Sequence, residues 1–150
     1  TLKKTFDQKI ETLSDDIKKS RHSLKNIIIM ASLVEKEARG EEDRAIISGI
    51  LWKRIEKGIP LQVDAPFLYF LGKESSELTR DDLATDSPFN TYKYKGLPPS
   101  PIGNPGLYSI EAALKPESSP YLYYLHDSSG TIHYAKTFTE HQRNIKKYLK

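Results

Sequence analysis

The spacing of hydrophobic residues predicts three consecutive helices in the first part of the chain. In segment 2–20, apolar residues recur every three or four positions among charges, which is typical of an amphipathic helix. A second helix begins after Ser23, a suitable N-cap, and runs to Gly40 with a broad apolar face. A third covers 41–57, with acidic residues in its first turn and Gly58 as its stop. We expect the second and third helices to form a hairpin in the core.

The middle of the chain is predicted to be mostly loop. Residues 60–71 have an extended or mixed pattern, and Thr79 begins a short capped helix. Segment 87–106 is rich in proline and glycine, yet it contains several aromatic residues that a flexible linker would lack. We therefore expect a long ordered loop on the surface, of the kind that often carries function.

The last third predicts a β-hairpin between two helices. A short helix over 109–115 is stopped by a proline, and a final helix covers 139–149. Between them, 121–125 and 131–136 are rich in aromatic and β-branched residues and are separated by a turn, Asp-Ser-Ser-Gly. The expected fold is α+β: a helical hairpin packed with a small antiparallel β-sheet and a long ordered, proline-rich loop.

Composition narrows the class of protein. The 150 residues are within the range of one domain, and we treat 1–150 as a single unit. The net charge is +3 and the basic residues form no block beyond the C-terminal end, so nucleic-acid binding is not indicated. The absence of cysteine excludes a thiolate nucleophile and a Cys-ligated zinc site. No apolar run reaches the roughly 18–20 residues of a membrane-spanning helix.

The second helix carries the candidate for acid–base chemistry. A helical wheel places Glu37 on one flank of the apolar stripe, beside Met30 and Leu33, and Glu35 on the other flank. A carboxyl group against apolar side chains loses hydration of its charged form, so its pKa rises and it becomes a general acid. On spacing alone an ion pair with a neighbouring basic residue is the simpler explanation, and Glu35 is an equal candidate for the acid.

Other chemistries have weaker support. Three histidines, His126, His133 and His141, lack the His-Glu-x-x-His spacing of zinc hydrolases, and we expect no metal site. The serines lack a Gly-x-Ser-x-Gly elbow, and no phosphate-cradling glycine motif is complete.

Several motifs in a fixed order resemble one known family. Residues 31–37 read Ala-Ser-Leu-Val-Glu-Lys-Glu, and they are followed by Leu-Gln-Val-Asp at 61–64 and Ser-Pro-Phe-Asn-Thr-Tyr at 87–92. The glycine- and proline-rich 96–106 and the closing motifs at 121–124 and 139–141 come next. Together these resemble the YceG-like (MltG) endolytic murein transglycosylases over about residues 27–149. One departure is Val63, where the family usually has Thr or Ser, which leaves the role of Gln62 open.

The resemblance implies roles for particular residues. It makes Glu37, the second glutamate of the Glu-Lys-Glu motif, the catalytic acid, and it favours Glu37 over Glu35. Family motif positions expected to line a glycan groove, each with loop support as an equal alternative, are Gln62, Asp64, Asn90, Tyr92 and Asn104. Gln62 and Asn90 are candidates for stabilising the oxocarbenium-like state or orienting an N-acetyl group.

The resemblance also implies an activity and a place of action. The expected reaction cleaves the bond between N-acetylmuramic acid (MurNAc) and N-acetylglucosamine (GlcNAc) in peptidoglycan and leaves a 1,6-anhydro end, without metal or cofactor. The family works on the extracytoplasmic side of a bacterial membrane, tethered by an N-terminal helix and carrying a LysM-like module; we expect both to lie outside this chain. Candidate partners are peptidoglycan synthases of the elongation or division machinery. The alternatives are a muramidase that uses Glu37 with Asp64, and a non-catalytic glycan-binding scaffold module.

Overall fold

The computed structural model describes residues 7–8 and 11–149. Over these residues the chain forms seven α-helices, a short 3-10 helix and one two-stranded antiparallel sheet, which confirms the predicted α+β fold. The first predicted helix is seen as α1, Ser14–Lys19, and its residues 2–6, 9 and 10 lie outside the described residues. None of the helices in this part of the chain has both the length and the apolar character needed to cross a membrane.

The predicted helical hairpin is present as α2, Leu24–Glu37, and α3, Glu41–Glu56. The hydroxyl of Ser23 accepts a hydrogen bond of 3.1 Å from the backbone N–H of Asn26, so this residue is the N-cap that the sequence indicated. The apolar face of α2 is fully buried, and it packs against α3 and against a later helix. This packing fixes the position of α2, and therefore of its last residue, Glu37.

That later helix is α6, Leu107–Leu114, which packs on both α2 and α3. The indole N–H of Trp52 on α3 donates to the carbonyl of Ala113, at 3.0 Å. One turn earlier on α3, a Cβ atom on Gly49 would lie 2.1 Å from the carbonyl oxygen of Glu117. Only glycine fits there, because the chain leaving α6 passes directly against the backbone of α3.

One segment differs from the prediction. Residues 60–71 were expected to be extended or mixed, but α4, Ala65–Leu71, is helical. Pro66 stands in its first turn, where a missing N–H costs nothing, and Gly72 ends it with a φ of 68°. The helix is too short, and apolar on too many sides, to give an amphipathic period. The 3-10 helix Ser75–Glu77 and the capped α5, Arg80–Leu83, follow it.

The proline-rich loop is ordered by hydrogen bonds to the core. The buried hydroxyl of Thr91 accepts from the N–H of Val63 at 3.0 Å and donates to its carbonyl at 2.9 Å. Further along, the N–H of Ile102 donates to the hydroxyl of Ser32 on α2 at 3.1 Å. The expectation of an ordered surface loop in this region is therefore confirmed.

The predicted β-hairpin consists of β1, Tyr123–His126, and β2, Ile132–Ala135, with Tyr124 opposite Tyr134. The last helix, α7, Phe138–Tyr148, begins at Thr137, whose hydroxyl accepts from the N–H of Glu140. It packs against both strands. Because side chains alternate along a strand, Tyr124 and His126 share one face of β1, and this face is turned towards Glu37.

Candidate active site

Glu37 lies where two pockets meet. As the last residue of α2 it is partly buried. On one side is a pocket of about 100 Å³, here called the Gln62 pocket, whose polar lining comes from Arg54, Gln62, Tyr123, Tyr124 and His141. On the other is a pocket of about 300 Å³, the Asp64 pocket, whose lining includes Lys36, Asp64, Lys73, Ser75 and His126. Glu37 lines both pockets, so an extended ligand that runs from one pocket to the other passes its carboxyl group.

The surroundings of Glu37 favour its protonated form. Burial raises the pKa of Glu37 to about 7, and the nearby negative charge of Asp64 acts in the same direction. Opposing this, the hydroxyl of Tyr124 donates a hydrogen bond of 2.7 Å to Oε1, and Arg39 adds a favourable positive charge. At neutral pH the group is therefore poised to give up a proton and to take one back.

Glu35, the other glutamate of the motif, is hydrogen-bonded to the start of α6. One carboxylate oxygen accepts from the N–H of Gly106 at 2.8 Å, and the other accepts from the hydroxyl of Ser109 at 2.9 Å. Arg44 lies 3.8 Å from the same group. These contacts fasten the start of α6 to the end of α2 and satisfy the backbone N–H of Gly106 at the helix N-terminus. Glu35 lines neither pocket, so the geometry separates the two glutamates that the helical wheel left equal.

Asp64 lines the Asp64 pocket, and both of its carboxylate oxygens accept hydrogen bonds. One accepts a hydrogen bond from the hydroxyl of Tyr92, and the other accepts from the hydroxyl of Ser75. Burial and this contact with Asp64 raise the pKa of Tyr92, so its hydroxyl remains a donor. Asp64 thus lines its pocket near Glu37, whereas Tyr92 lines neither pocket and is linked to the site through its hydrogen bond to Asp64.

Gln62 lies in the wall of its pocket in an unusual backbone conformation. Its φ is 54°, in the left-handed region that glycine prefers, and its N–H donates to the carbonyl of Thr91 at 3.1 Å. The side-chain oxygen accepts a hydrogen bond of 3.3 Å from Arg54. Both the backbone and the amide head of Gln62 are therefore held in place beside Glu37.

The two asparagines expected in the groove do not line either pocket. Asn90 is fully buried; its amide N–H groups donate to the carbonyls of Leu83 and Thr85, and its oxygen accepts from the N–H of Tyr92 at 2.9 Å. These are the contacts of a residue that supports the loop. Asn104 is exposed, in the loop between α5 and α6, outside the lining of both pockets.

Sequence reasoning missed two residues that the structure brings to the site, Tyr124 and Arg54. Tyr124 was recognised only as part of a motif, because its contact with Glu37 depends on how the hairpin sits. Arg54 had a usable signal: it follows Ile47 by seven positions and Ile50 by four, so it lies on the apolar stripe of α3. A charged residue on such a stripe indicates a buried and specifically bonded group.

The three histidines considered above as metal ligands, His126, His133 and His141, lie in separate places. His126 lines the Asp64 pocket and His141 the Gln62 pocket, while His133 lies 2.8 Å from a carboxylate oxygen of Asp127 in the hairpin. Burial lowers the pKa of both His126 and His141, so the two imidazoles near the groove are neutral at pH 7. They add hydrogen-bonding capacity to the two pockets without adding charge.

Comparisons with known proteins agree on one family. A curated endolytic murein transglycosylase from Bacillus subtilis (strain 168) is 42% identical over 140 residues, which cover 93% of this chain and 39% of the relative. One from Streptococcus pneumoniae serotype 2 is 34% identical over 150 residues, covering 96% of this chain and 27% of the relative. The chain thus spans about two-fifths or less of these curated relatives.

The structural comparison gives the same result. The crystal structure of a yceG-like protein from Listeria monocytogenes matches with a TM-score of 0.86 and 42% identity, covering 93% of this chain and 46% of that one. The model of the YceG-like family matches residues 1–147. Because that match covers nearly the whole chain, this protein belongs to the YceG-like family.

Proposed function

We propose that this domain is an endolytic lytic transglycosylase that cuts the MurNAc–GlcNAc bond of peptidoglycan strands, with Glu37 as its catalytic acid and base. The observation that carries the proposal is the position of Glu37 at the junction of two pockets, with a pKa of about 7. The names of the curated relatives, endolytic murein transglycosylases, support it. The reaction requires no metal or cofactor.

The reaction needs one group that first gives and then takes a proton. Protonated Glu37 donates to the oxygen between MurNAc C1 and GlcNAc; that C1–O bond breaks, and GlcNAc leaves as an alcohol. The C6 hydroxyl of MurNAc then bonds to C1 and passes its proton to the Glu37 carboxylate. Acid and carboxylate forms alternate, and no water is consumed. Since Tyr124 bonds to Oε1, the other oxygen is available to face the substrate.

The state of Asp64 supports chemistry that uses one carboxylate. A hydrolase generally needs a second carboxylate to activate water or to attack C1. Both oxygens of Asp64 already accept hydrogen bonds from hydroxyls, which reduces their availability for either role. We therefore assign Asp64 to the wall of the groove, where it binds and orients the glycan, Tyr92 to holding the Asp64 carboxylate, and Asn90 to the support of that wall.

The place of action is part of the same proposal. We propose that the whole protein works on the extracytoplasmic side of a bacterial membrane, held by an N-terminal helix, beside peptidoglycan synthases of the elongation or division machinery. The names of the relatives, endolytic murein transglycosylases, support action on the cell-wall side of the membrane. Fractionation of cells that express the full-length protein, with protease added from outside, tests both the tether and its orientation.

Analysis of the products tests the reaction. Glycan strands from purified sacculi are digested, and the fragments are weighed by mass spectrometry before and after borohydride treatment. Intramolecular attack leaves internal fragments with anhydro ends, one water lighter than hydrolysis products and resistant to borohydride. Fragments whose MurNAc ends are reduced by borohydride would contradict the proposal and make Asp64 the suspected second carboxylate.

Two variants sharpen this test. Asp64→Asn keeps the shape of the side chain, so we expect slower cutting through weaker contacts to Tyr92 and Ser75, with anhydro ends unchanged. A two-carboxylate muramidase would instead lose nearly all turnover in this variant. Glu37→Gln is the inactive control in both cases.

A further inference from the structure

The last helix, α7, packs on the β-hairpin through its polar side. The inward residues are spaced i, i+3 and i+7 and so share one face: His141, Asn144 and Tyr148. His141 stacks on a ring of β1 with 5.0 Å between ring centres, Tyr148 stacks on a ring of β2 at 3.5 Å, and Asn144 donates to a β2 carbonyl at 3.4 Å. Within the described chain, no residue of α7 is buried. The helix is therefore held by ring contacts and a hydrogen bond rather than by an aliphatic core.

The apolar residues of α7 lie on a different face and are exposed. Phe138, Ile145 and Leu149 are spaced i, i+7 and i+11, which places them in one row, here called the α7 stripe. They are 56%, 39% and 50% exposed. This is the reverse of an ordinary surface helix, which buries its apolar row and exposes its polar one. Apolar side chains that are grouped and left in water are typical of a surface that binds a partner.

Three cations line the same shallow depression of the surface as Ile145 and Leu149: Arg143, Lys146 and Lys147. All three are exposed. Glu140 is the one acidic residue of α7, and a carboxylate oxygen of its side chain accepts a hydrogen bond from the N–H of Lys136. The outer side of α7 therefore combines a row of apolar side chains with a net positive charge.

This combination is complementary to an anionic lipid bilayer. A basic amphipathic helix lies in the plane of such a surface, with apolar side chains among the acyl chains and cations at the phosphates. A protein partner would need about 800 Å² on each side, whereas the stripe is roughly 16 Å long and one side chain wide. A soluble polyanion would use the cations and leave the apolar row in water. A lipid surface uses both.

We propose that α7 docks this domain on an anionic membrane surface, with the α7 stripe in the headgroup region and the three cations at the lipid phosphates. The docking goes beyond the proposed function and does not depend on it, because lipid binding requires no cutting of glycan. His141, on the same helix, lines the Gln62 pocket. Docking therefore holds that pocket about one helix diameter, ~10 Å, from the lipid, where it meets the strands nearest to the membrane.

Binding to vesicles tests the docking. The chain is sedimented with vesicles of phosphatidylcholine alone and with vesicles that also contain phosphatidylglycerol. We expect binding to the anionic vesicles only, and we expect it to weaken as salt is raised, because ions screen the attraction. Equal binding to both kinds of vesicle, or to neither, would contradict the proposal.

Two pairs of lysines separate a specific face from net charge. Lys146→Gln with Lys147→Gln removes two cations from α7 and should weaken binding to anionic vesicles at least about tenfold. Lys18→Gln with Lys19→Gln is the matched control, since it removes the same charge from exposed lysines in the last turn of α1. We expect less than about a twofold change there. Equal losses in the two double variants would overturn the proposal, because net charge would then govern binding.

A probe on the stripe tests insertion. The chain has no cysteine, so Ile145→Cys can carry a single nitrobenzoxadiazole label, whose emission shifts to the blue when it leaves water. We expect the shift with anionic vesicles, and no shift for a label at Leu24→Cys, an exposed apolar position on α2. Ile145→Ser should likewise weaken vesicle binding at least about threefold, and Leu24→Ser should not. A label at 145 that stays in water while the chain binds would mean that the face recognises phosphate alone, and the lipid docking would be wrong.

The full-length protein decides whether the face is open to lipid. The label at position 145 is placed in that protein, in nanodiscs of phosphatidylcholine with and without phosphatidylglycerol. A blue shift that requires phosphatidylglycerol supports the docking. A label shielded in both lipids would show that another part of the protein covers the face, and would overturn it.

Failure of the docking is distinguishable from failure of the proposed function. Digestion of sacculi in solution involves no lipid, so Lys146→Gln with Lys147→Gln should cut at the wild-type rate. If the chain ignores lipid but cuts sacculi, the docking is wrong and the proposed function stands. If it binds anionic vesicles through α7 but leaves sacculi intact, the reverse holds.

Discussion

The hydroxyl of Tyr124 lies 2.7 Å from Oε1 of Glu37, although 87 positions separate the two residues. The contact joins the β-hairpin to the last turn of α2. It also opposes the main influence on the acid, because burial raises the pKa of Glu37 while this hydrogen bond lowers it. The balance of the two sets the pH range in which Glu37 carries a proton.

Removing the Tyr124 hydroxyl should therefore move the pH profile. In the wild-type chain we expect kcat/KM to fall as pH rises through about 7, because Glu37 loses the proton that it must donate. In Tyr124→Phe the carboxylate loses a hydrogen bond, so the pKa rises and the decline should begin at higher pH. Rates measured from pH 5 to 9 test this, with Tyr121→Phe as control. A decline that is unmoved or moves to lower pH would contradict it.

Substitution of the two glutamates of the motif should have different effects, on activity at Glu37 and on stability at Glu35. Glu37→Gln should keep the fold and reduce cutting at least about 10²-fold, because the amide is nearly isosteric but cannot donate the proton. Glu35→Gln weakens the attachment of α6 at Gly106 and Ser109, so we expect a loss of about 1–3 kcal/mol in stability with substantial activity retained. Circular dichroism melts and sacculus digestion distinguish them. A folded but inactive Glu35→Gln would overturn the assignment.

The raised pKa of Glu37 should make stability depend on pH. The folded value, about 7, lies above the ordinary value of 4.5 expected in the unfolded chain. The contribution of Glu37 to the free energy of unfolding is therefore fully favourable below pH 4.5. It is lost as the pH rises through about 7 and stays lost above that pH. This difference between the folded and unfolded pKa values corresponds to a loss of at most roughly 3 kcal/mol in the free energy of unfolding.

Glu37→Gln removes this dependence because its amide does not titrate. Relative to wild type, the variant should gain stability between pH 4.5 and 8, as measured by urea unfolding at each pH. Glu42→Gln, on the exposed first turn of α3, should show little such change and serves as the control. An unchanged difference between Glu37→Gln and wild type across this range would refute the inference.

The buried and the exposed asparagine should respond differently to truncation. Asn90→Ala removes hydrogen bonds to Leu83, Thr85 and Tyr92 inside the loop, so we expect a loss of about 2–4 kcal/mol in the free energy of unfolding. Asn104→Ala should change stability by less than about 0.5 kcal/mol. Urea unfolding measures both. A stable Asn90→Ala with impaired glycan binding would instead place Asn90 in the groove.

The sequence was informative where local rules decide the structure. The apolar face and N-cap of α2, the acidic first turn of α3 and the turn between the strands each gave the element and nearly its bounds. It failed at α4, where seven mostly apolar residues give no period. It also did not separate Glu35 from Glu37 by geometry, because the position of α6 makes that choice. The contact of Tyr124 with Glu37 depends on long-range packing, which no local pattern records.

The close approach at Gly49 limits how this domain can be engineered. In most helix interiors, replacing glycine by alanine is a safe way to gain about 1 kcal/mol. Here the added methyl group would meet the carbonyl oxygen of Glu117, in the segment that leads from α6 to the hairpin. Relief of that clash requires α3 or the segment at Glu117 to shift, and this segment leads to the hairpin that carries Tyr124. We therefore expect Gly49→Ala, although chosen for helix propensity, to disturb the contact between Tyr124 and Glu37 and so to change the pKa of Glu37. Position 49 itself has no side chain and no contact with substrate.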